Sequence, residues 1–347
     1  MTTVIDIELI PSNLPEAVTA SMITTLPTLC PNLQRVRLCP LPRGPAITAA
    51  VSELLITDQD TIRSFHVDSL LTEAAREVIC MLPNLCELLV VIDGPTLLPT
   101  FVLPNLTEIE VEYGHNHGWL QGFRGATFGK LASVTFRSES SSIDDLLEAF
   151  KRVALTTSIP ETLSTFGFYN SSPWRPNYHS LLPFTQLKEL VVEFSCRGGC
   201  SSTIDDDVIT ELAQTMPKLE ILQFGEEPCS IPTGVTAKGL AALAFYCLHL
   251  SMLRIHFRVA SLNPIGVTFC GRSTIPREDC ALTDLDVGDI HLPEESVLMV
   301  TLTLLRIFPH LDFIDYRNVG WRKVAHAISL SKRLADRSSE THSFATP

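Results

Sequence analysis

Positive charge is scarce in this chain. Of 347 residues, 26 are Lys or Arg and 39 are Asp or Glu, a formal net charge of -13. Nucleic acid and anionic lipid both reward a basic surface, so neither is expected as a general partner. Long apolar runs are lacking as well. Gly239 to Leu253, an uncharged stretch rich in apolar residues, is shorter than the roughly 20 residues that span a bilayer. Met1 to Glu8 has no basic region and carries Asp6 and Glu8 in its first apolar run, which is not the pattern of a secretory signal. The expected location is therefore cytoplasmic, nuclear or both, with no membrane contact.

Signatures of chemistry are missing too. No GxSxG, HExxH or P-loop pattern occurs, which removes the usual marks of hydrolases, zincins and nucleotide-binding enzymes. The ten cysteines include no CxxC. Cys80/Cys86 and Cys196/Cys200 lack the companion pairs of a zinc site, so reduced structural thiols are expected. His115 and His117, flanked by Gly114 and Gly118 just before Trp119, are the tightest ligand-type cluster. No third or fourth ligand lies near them in sequence, and a solvated loop is expected there. The chain reads as a non-enzyme without cofactor or metal.

What is present is a repeat. Hydrophobic residues make up 45% of the chain and charged residues 19%, enough for a continuous core. One frame recurs: apolar, two variable residues, apolar, one variable, apolar. It is clearest from Pro31 to Leu38, Pro83 to Val90 and Pro104 to Val111. Further copies begin at Leu131, Leu187, Leu219, Leu250, Leu282 and Leu311, with weaker ones at Val4, Ile62 and Leu163. About a dozen rungs result, spaced by about 28 residues on average, inside the range of leucine-rich repeats. Individual steps run from about 21 to about 32, which predicts an irregular horseshoe.

Within each frame the period of two predicts a short strand. Between frames the period changes. From Ile204 to Met216, the residues Val208, Leu212 and Met216 lie on one helical face, with Thr203 or Asp205 as cap and Asp206 and Asp207 at the positive helix end. Leu240, Leu243, Ala244 and Cys247 repeat the design. The fold class expected is α/β: a leucine-rich-repeat solenoid with a parallel strand ladder on the concave face and helices on the convex face. Residues 1–320 form the solenoid, 321–337 a capping helix and 338–347 a disordered tail. The long step from Leu131 to Leu163 and the stretches Asn170 to Pro183 and Asn263 to Cys280 are expected as departures from the regular coil.

Two consecutive units, Ile204 to Leu222 and Val235 to Leu253, resemble the cysteine-containing leucine-rich repeat of F-box proteins. Cys247 and Cys30 match the slot where that repeat often places Cys just before the strand, while Met216 and Met81 replace it. The irregular N-terminal half resembles divergent F-box-like proteins of mushroom-forming fungi. That resemblance implies the substrate-recognition module of a Skp1-cullin-F-box ubiquitin ligase. Leu14-Pro15-Glu16 is the only echo of an F-box start, and no F-box helix pattern follows it. A Skp1-type adaptor is therefore expected only if an F-box lies upstream, and truncation, loss of the F-box, or similarity to the free-standing mitotic-exit antagonists all remain open.

The variable slots of the frame point to the concave face. They place Glu87, Glu108, Glu110 and Glu112 together, either as like charges that solvent screens on an open face or as an acidic patch for a basic segment of a protein partner. Arg137, Glu189, Glu193, Arg254 and His256 complete the candidate partner-binding set.

Overall fold

The computed structural model describes residues 5–9, 14–92, 100–113, 126–138, 151, 159–170, 178–194, 204–225, 234–259, 262, 268–269, 272–273, 280–288 and 290–343. The chain is an α/β protein built on parallel strands laid down in sequence order. Residues 1–320, expected as one repeat domain, fall in two compact units. Unit 1 holds Met1–Ser172 with His179–Phe184, and unit 2 holds Pro173–Tyr178 with Thr185–Pro347.

In unit 1 the ladder comprises β1 (Ile5–Leu9), β2 (Leu33–Leu38), β3 (Ser64–Val67), β4 (Glu87–Ile92), β6 (Glu108–Tyr113), β8 (Ser133–Ser138) and β9 (Thr165–Asn170). Two-residue strands β5 (Val102–Leu103) and β7 (Thr127–Phe128) lie in the connectors. Each ladder strand pairs in parallel with the next. Alternate residues enter the core: Val36 and Leu38, Phe65 and Val67, Leu88 and Val90, then Ile109 and Val111. Helices α1 (Glu16–Leu29), α2 (Pro45–Thr57) and α3 (Glu73–Ile79) fill the first three connectors. Their buried Ile23, Ile47, Val51, Leu54 and Ile79 belong to the same core. The next connectors carry the short strands β5 and β7. There β5 pairs in parallel with β7, and the rings of Phe101 and Phe128 sit 6.2 Å apart.

In unit 2 the ladder comprises β10 (Glu189–Phe194), β11 (Ile221–Phe224), β12 (Met252–Arg254), β15 (Asp284–Asp286) and β16 (Phe313–Asp315), again parallel and in order. Helices α4 (Asp206–Thr215), α5 (Ala237–Tyr246), α6 (Val297–Ile307) and α7 (Val319–Ser343) alternate with them. The stretch Asn263 to Cys280, expected as a departure, carries the antiparallel pair β13 (Thr268–Phe269) and β14 (Arg272–Ser273).

One hydrogen-bond unit joins successive rungs in both halves. The carbonyl of Cys86 accepts the N–H groups of Thr107 and Glu108 and the Thr107 hydroxyl. The carbonyls of Ala132, Glu220 and Ser251 are used in the same way, with Ser164, Ser251 and Thr283 supplying the hydroxyls. Sequence separations across these four joints are 21, 32, 31 and 32 residues. The same joint thus recurs between neighbouring strands at unequal sequence spacing, and each satisfies backbone donors of the following strand.

Three consecutive aspartates divide the capping work. Asp205 is the N-cap of α4, accepting from the N–H groups of Asp207 and Val208 at 3.1 and 3.0 Å. Asp206 instead reaches the next helix. Its Oδ1 accepts from Thr236 N at 2.7 Å and Gly239 N at 2.9 Å, and its Oδ2 from the Thr236 hydroxyl at 2.6 Å. Asp207 pairs with Lys238 at 3.0 Å, which raises the lysine's basicity through that hydrogen bond and charge. The approach is close enough that a Cβ on Gly239 would lie 2.7 Å from Asp206 Oδ1.

Several sequence expectations shift. The buried stripe of α4 is Ile209, Leu212, Ala213 and then Met216, so Val208 is only half-buried. The capping helix begins two residues before the expected 321 and continues through Ser343, six residues into the segment 338–347 expected as a tail. No Pro or Gly interrupts it after Gly320, and the backbone bonds propagate. Its Trp321 is buried against Phe257 and donates Nε1–H to the carbonyl of Ile290 at 2.9 Å. His115, His117, Cys196, Cys200 and Thr203 lie outside the described residues. Among the described residues no helix is long and apolar enough to cross a membrane.

Candidate functional site

Strand register converts the variable slots into rows across the exposed sheet face. In unit 1 one row reads Asp6, Arg35, Ser64, Glu87, Glu108, Ser133, Thr165. The next reads Glu8, Arg37, His66, Leu89, Glu110, Thr135, Gly167, and a shorter third reads Val91, Glu112, Arg137, Tyr169. Glu87 and Glu108 are thus direct neighbours, as the frame predicts.

Most of these charges have partners. Arg35 and Arg37 lie 3.9 and 3.8 Å from Asp6 and Glu8. Glu87 accepts the Ser64 hydroxyl at 2.8 Å, with the His66 ring 3.8 Å away. Arg137 donates Nε–H to Glu110 at 2.5 Å and lies 4.3 Å over the Tyr169 ring. Partial burial works against the Arg137 charge, but the hydrogen bond and charge of Glu110, helped by Tyr169 and Glu112, hold its basicity above the ordinary value. The acidic patch is therefore half neutralised from within. Among the described residues, Glu108 has no basic partner, and Glu112 has Arg137 only as a neighbour already bonded elsewhere.

Unit 2 brings together a different set. One row reads Glu189, Ile221, Met252, Asp284, Phe313, and its neighbour Val191, Gln223, Arg254, Asp286, Asp315. Arg254 is held by Glu193 at 3.2 Å and Asp286 at 2.5 Å, so three charged groups form one cluster. Asp286 also accepts the N–H of Gly288. His256 does not join this face. It is 6% exposed because β12 ends at Arg254, and Ile255, His256 and Phe257 all turn inward. A Cβ on Gly288 would sit 2.7 Å from its Nε2, so the ring is packed against that turn. Met252 and Phe313, 39% and 57% exposed, occupy the same frame slot as Glu87 and Glu108. Sequence alone gives no signal for their exposure, because apolar residues in an alternating frame are indistinguishable from core.

The remaining reactive groups argue for packing. Burial pushes the thiols of Cys80 and Cys247 up to about 12, with Glu77 and Cys280 adding to it respectively. Burial raises Cys39 and Cys280 as well. Such groups stay protonated at neutral pH and are poor nucleophiles. Among the described residues no group of three His, Cys, Asp or Glu is placed to hold a metal ion.

No protein-family model matches the chain, and no curated protein is significantly similar to it. Function has to be argued from the exposed rows themselves.

Proposed function

We propose that the chain is a leucine-rich-repeat solenoid that acts as a non-catalytic protein-recognition scaffold. In keeping with the resemblance of its units from Ile204 to Leu253, it serves as the substrate-recognition module of a Skp1-cullin-F-box type ubiquitin ligase. The observation that carries recognition is the division of the ladder strands from β2 to β8: one side is buried, and the other sets mainly polar and charged residues in register over several rungs. Such a surface offers a partner many simultaneous contacts without any closed, dry pocket for chemistry. The partner is a protein with a basic segment, which Glu108 and Glu112 engage while Glu110 stays tied to Arg137. A free-standing binder without ubiquitin transfer is the alternative.

Glu108→Lys combined with Glu112→Lys tests recognition. Fluorescence anisotropy with a Lys/Arg-rich peptide should show loss of binding with an unchanged melting temperature, and wild-type binding should weaken with added salt. Retained binding overturns the acidic face as the site. Co-purification of the full-length gene product with a Skp1-type adaptor separates the ligase reading from the free-standing one.

A further inference from the structure

The exposed row of unit 2 sets two exposed apolar side chains on either side of a carboxylate. Met252, Asp284 and Phe313 stand side by side on β12, β15 and β16, with Leu253, Leu285 and Ile314 buried on the other side. Adjacent strands are about 4.8 Å apart, so Met252 and Phe313 flank Asp284 across about 10 Å. Asp315 lies one row over, beside Asp286. Among the described residues no basic group pairs with Asp284 or Asp315. Asp284 takes only the hydroxyl of its neighbour Thr283, at 2.6 Å. The nearest arginine in the rows, Arg254, is engaged by Glu193 and Asp286.

Unit 1 shows what such a slot holds when the chain supplies its own cation. There the guanidinium of Arg137 lies over the Tyr169 ring and bonds to the Glu110 carboxylate. The Glu110 carboxylate on β6 and the Tyr169 ring on β9 flank β8, and the guanidinium that Arg137 supplies from β8 is seated by both. In unit 2 the ring is Phe313 on β16 and the carboxylates are Asp284 on the adjacent β15 and Asp315 on β16, and among the described residues no cation is paired with them.

We propose that the Met252–Asp284–Phe313 row binds an arginine side chain of a partner protein. This deepens the recognition reading and rests on it. The arginine methylenes lie along Met252, the planar guanidinium stacks on Phe313, and its N–H groups donate to Asp284 and Asp315. Lysine has the stem but not the flat, delocalised cation that stacks and donates in one plane.

The test uses the full chain with carbon-13-labelled methionine methyls, the Met252 signal being assigned by Met252→Leu. The probe is a capped Gly-Ser peptide with two arginines, compared with its citrulline counterpart, which keeps the shape and removes the charge. A saturable shift of the Met252 methyl by the arginine peptide alone is expected. Affinity should fall about fivefold in Phe313→Ala and in the isosteric Asp284→Asn. A silent Met252 methyl, or an equal response to citrulline, overturns the assignment. If the arginine peptide binds with Met252 silent and Glu108→Lys/Glu112→Lys abolishes that binding, recognition of basic segments stands and the unit 2 seat falls. If the peptide binds nowhere, both fall.

Discussion

Unit 1 and unit 2 repeat one strand frame but join their rungs with different hardware. In unit 1 the described parts of the connectors hold helices α1 to α3 and then the short β5 and β7, and among the described residues the caps between successive helices are single hydrogen bonds. Glu16 reaches Ala46 N at 2.9 Å, and Ser52 reaches Thr72 N at 2.9 Å. In unit 2 a single side chain, Asp206, satisfies three donors at the start of the next helix. Their exposed faces differ in the same sense. Unit 1 pairs many of its own charges between neighbouring strands, whereas unit 2 leaves Met252 and Phe313 exposed beside Asp284 and Asp315, which have no basic partner among the described residues. The strand frame therefore fixes the ladder independently of what fills the connectors or decorates the open side.

The largest effect should come from the end of unit 2. Trp321→Ala removes a buried indole and its bond to Ile290, and is expected to cost about 3–5 kcal/mol in denaturant unfolding. Hydrogen exchange should accelerate first in β15 and β16, as nearest-neighbour stacking predicts. Equal acceleration in β2 and β3 would break the distinction between the units. Next comes the capping contrast. Asp206→Ala should cost about 2–3 kcal/mol, against less than about 1 kcal/mol for Glu16→Ala, which loses one exposed bond. Similar melting shifts for the two would mean that the number of capped donors is not what separates the halves.

Alkaline pH should affect both units alike, because each buries a thiol. The folded-state values of Cys80 and Cys247 are raised to about 12, so folding favours the neutral form. Their contribution is complete below the ordinary thiol value near 9 and is lost as pH rises towards 12. The slope is at most about 1.4 kcal/mol per pH unit for each thiol. Cys247→Ala should flatten the alkaline stability curve relative to wild type, and a parallel curve would exclude Cys247 as a contributor. The smallest effect belongs to the exposed pairs of unit 1. Arg35→Ala should change stability by less than about 0.5 kcal/mol, and a loss above 1 kcal/mol in a double-mutant cycle with Asp6→Ala would show the rows to be structural.

Much of this arrangement was legible beforehand. The frames beginning at Val4, Leu33 and Leu85, and so on to Leu311, each hold a ladder strand, because a period of two with one buried side leaves little freedom of register. Asp205 as a cap and the adjacency of Glu87 and Glu108 follow from the same local patterns. Asp206 as the cap of a helix 30 residues away was not legible, since its target depends on how neighbouring repeats are offset. Nor was the neutralisation of Glu110 by Arg137, or the exposure of Met252 and Phe313. His256 was misplaced because alternation ceases where β12 stops, and one sequence does not mark that point.

By itself the sequence determined which residues alternate inward, where strands begin and that the surface is acidic, because these depend on side-chain type and short-range periodicity. The tertiary structure decided which exposed residues are neighbours. Connectors of unequal length and kind separate the rungs, so residues that share a row stand at irregular distances along the chain, and only stacking brings Arg137 to Glu110 while leaving Asp284 between Met252 and Phe313.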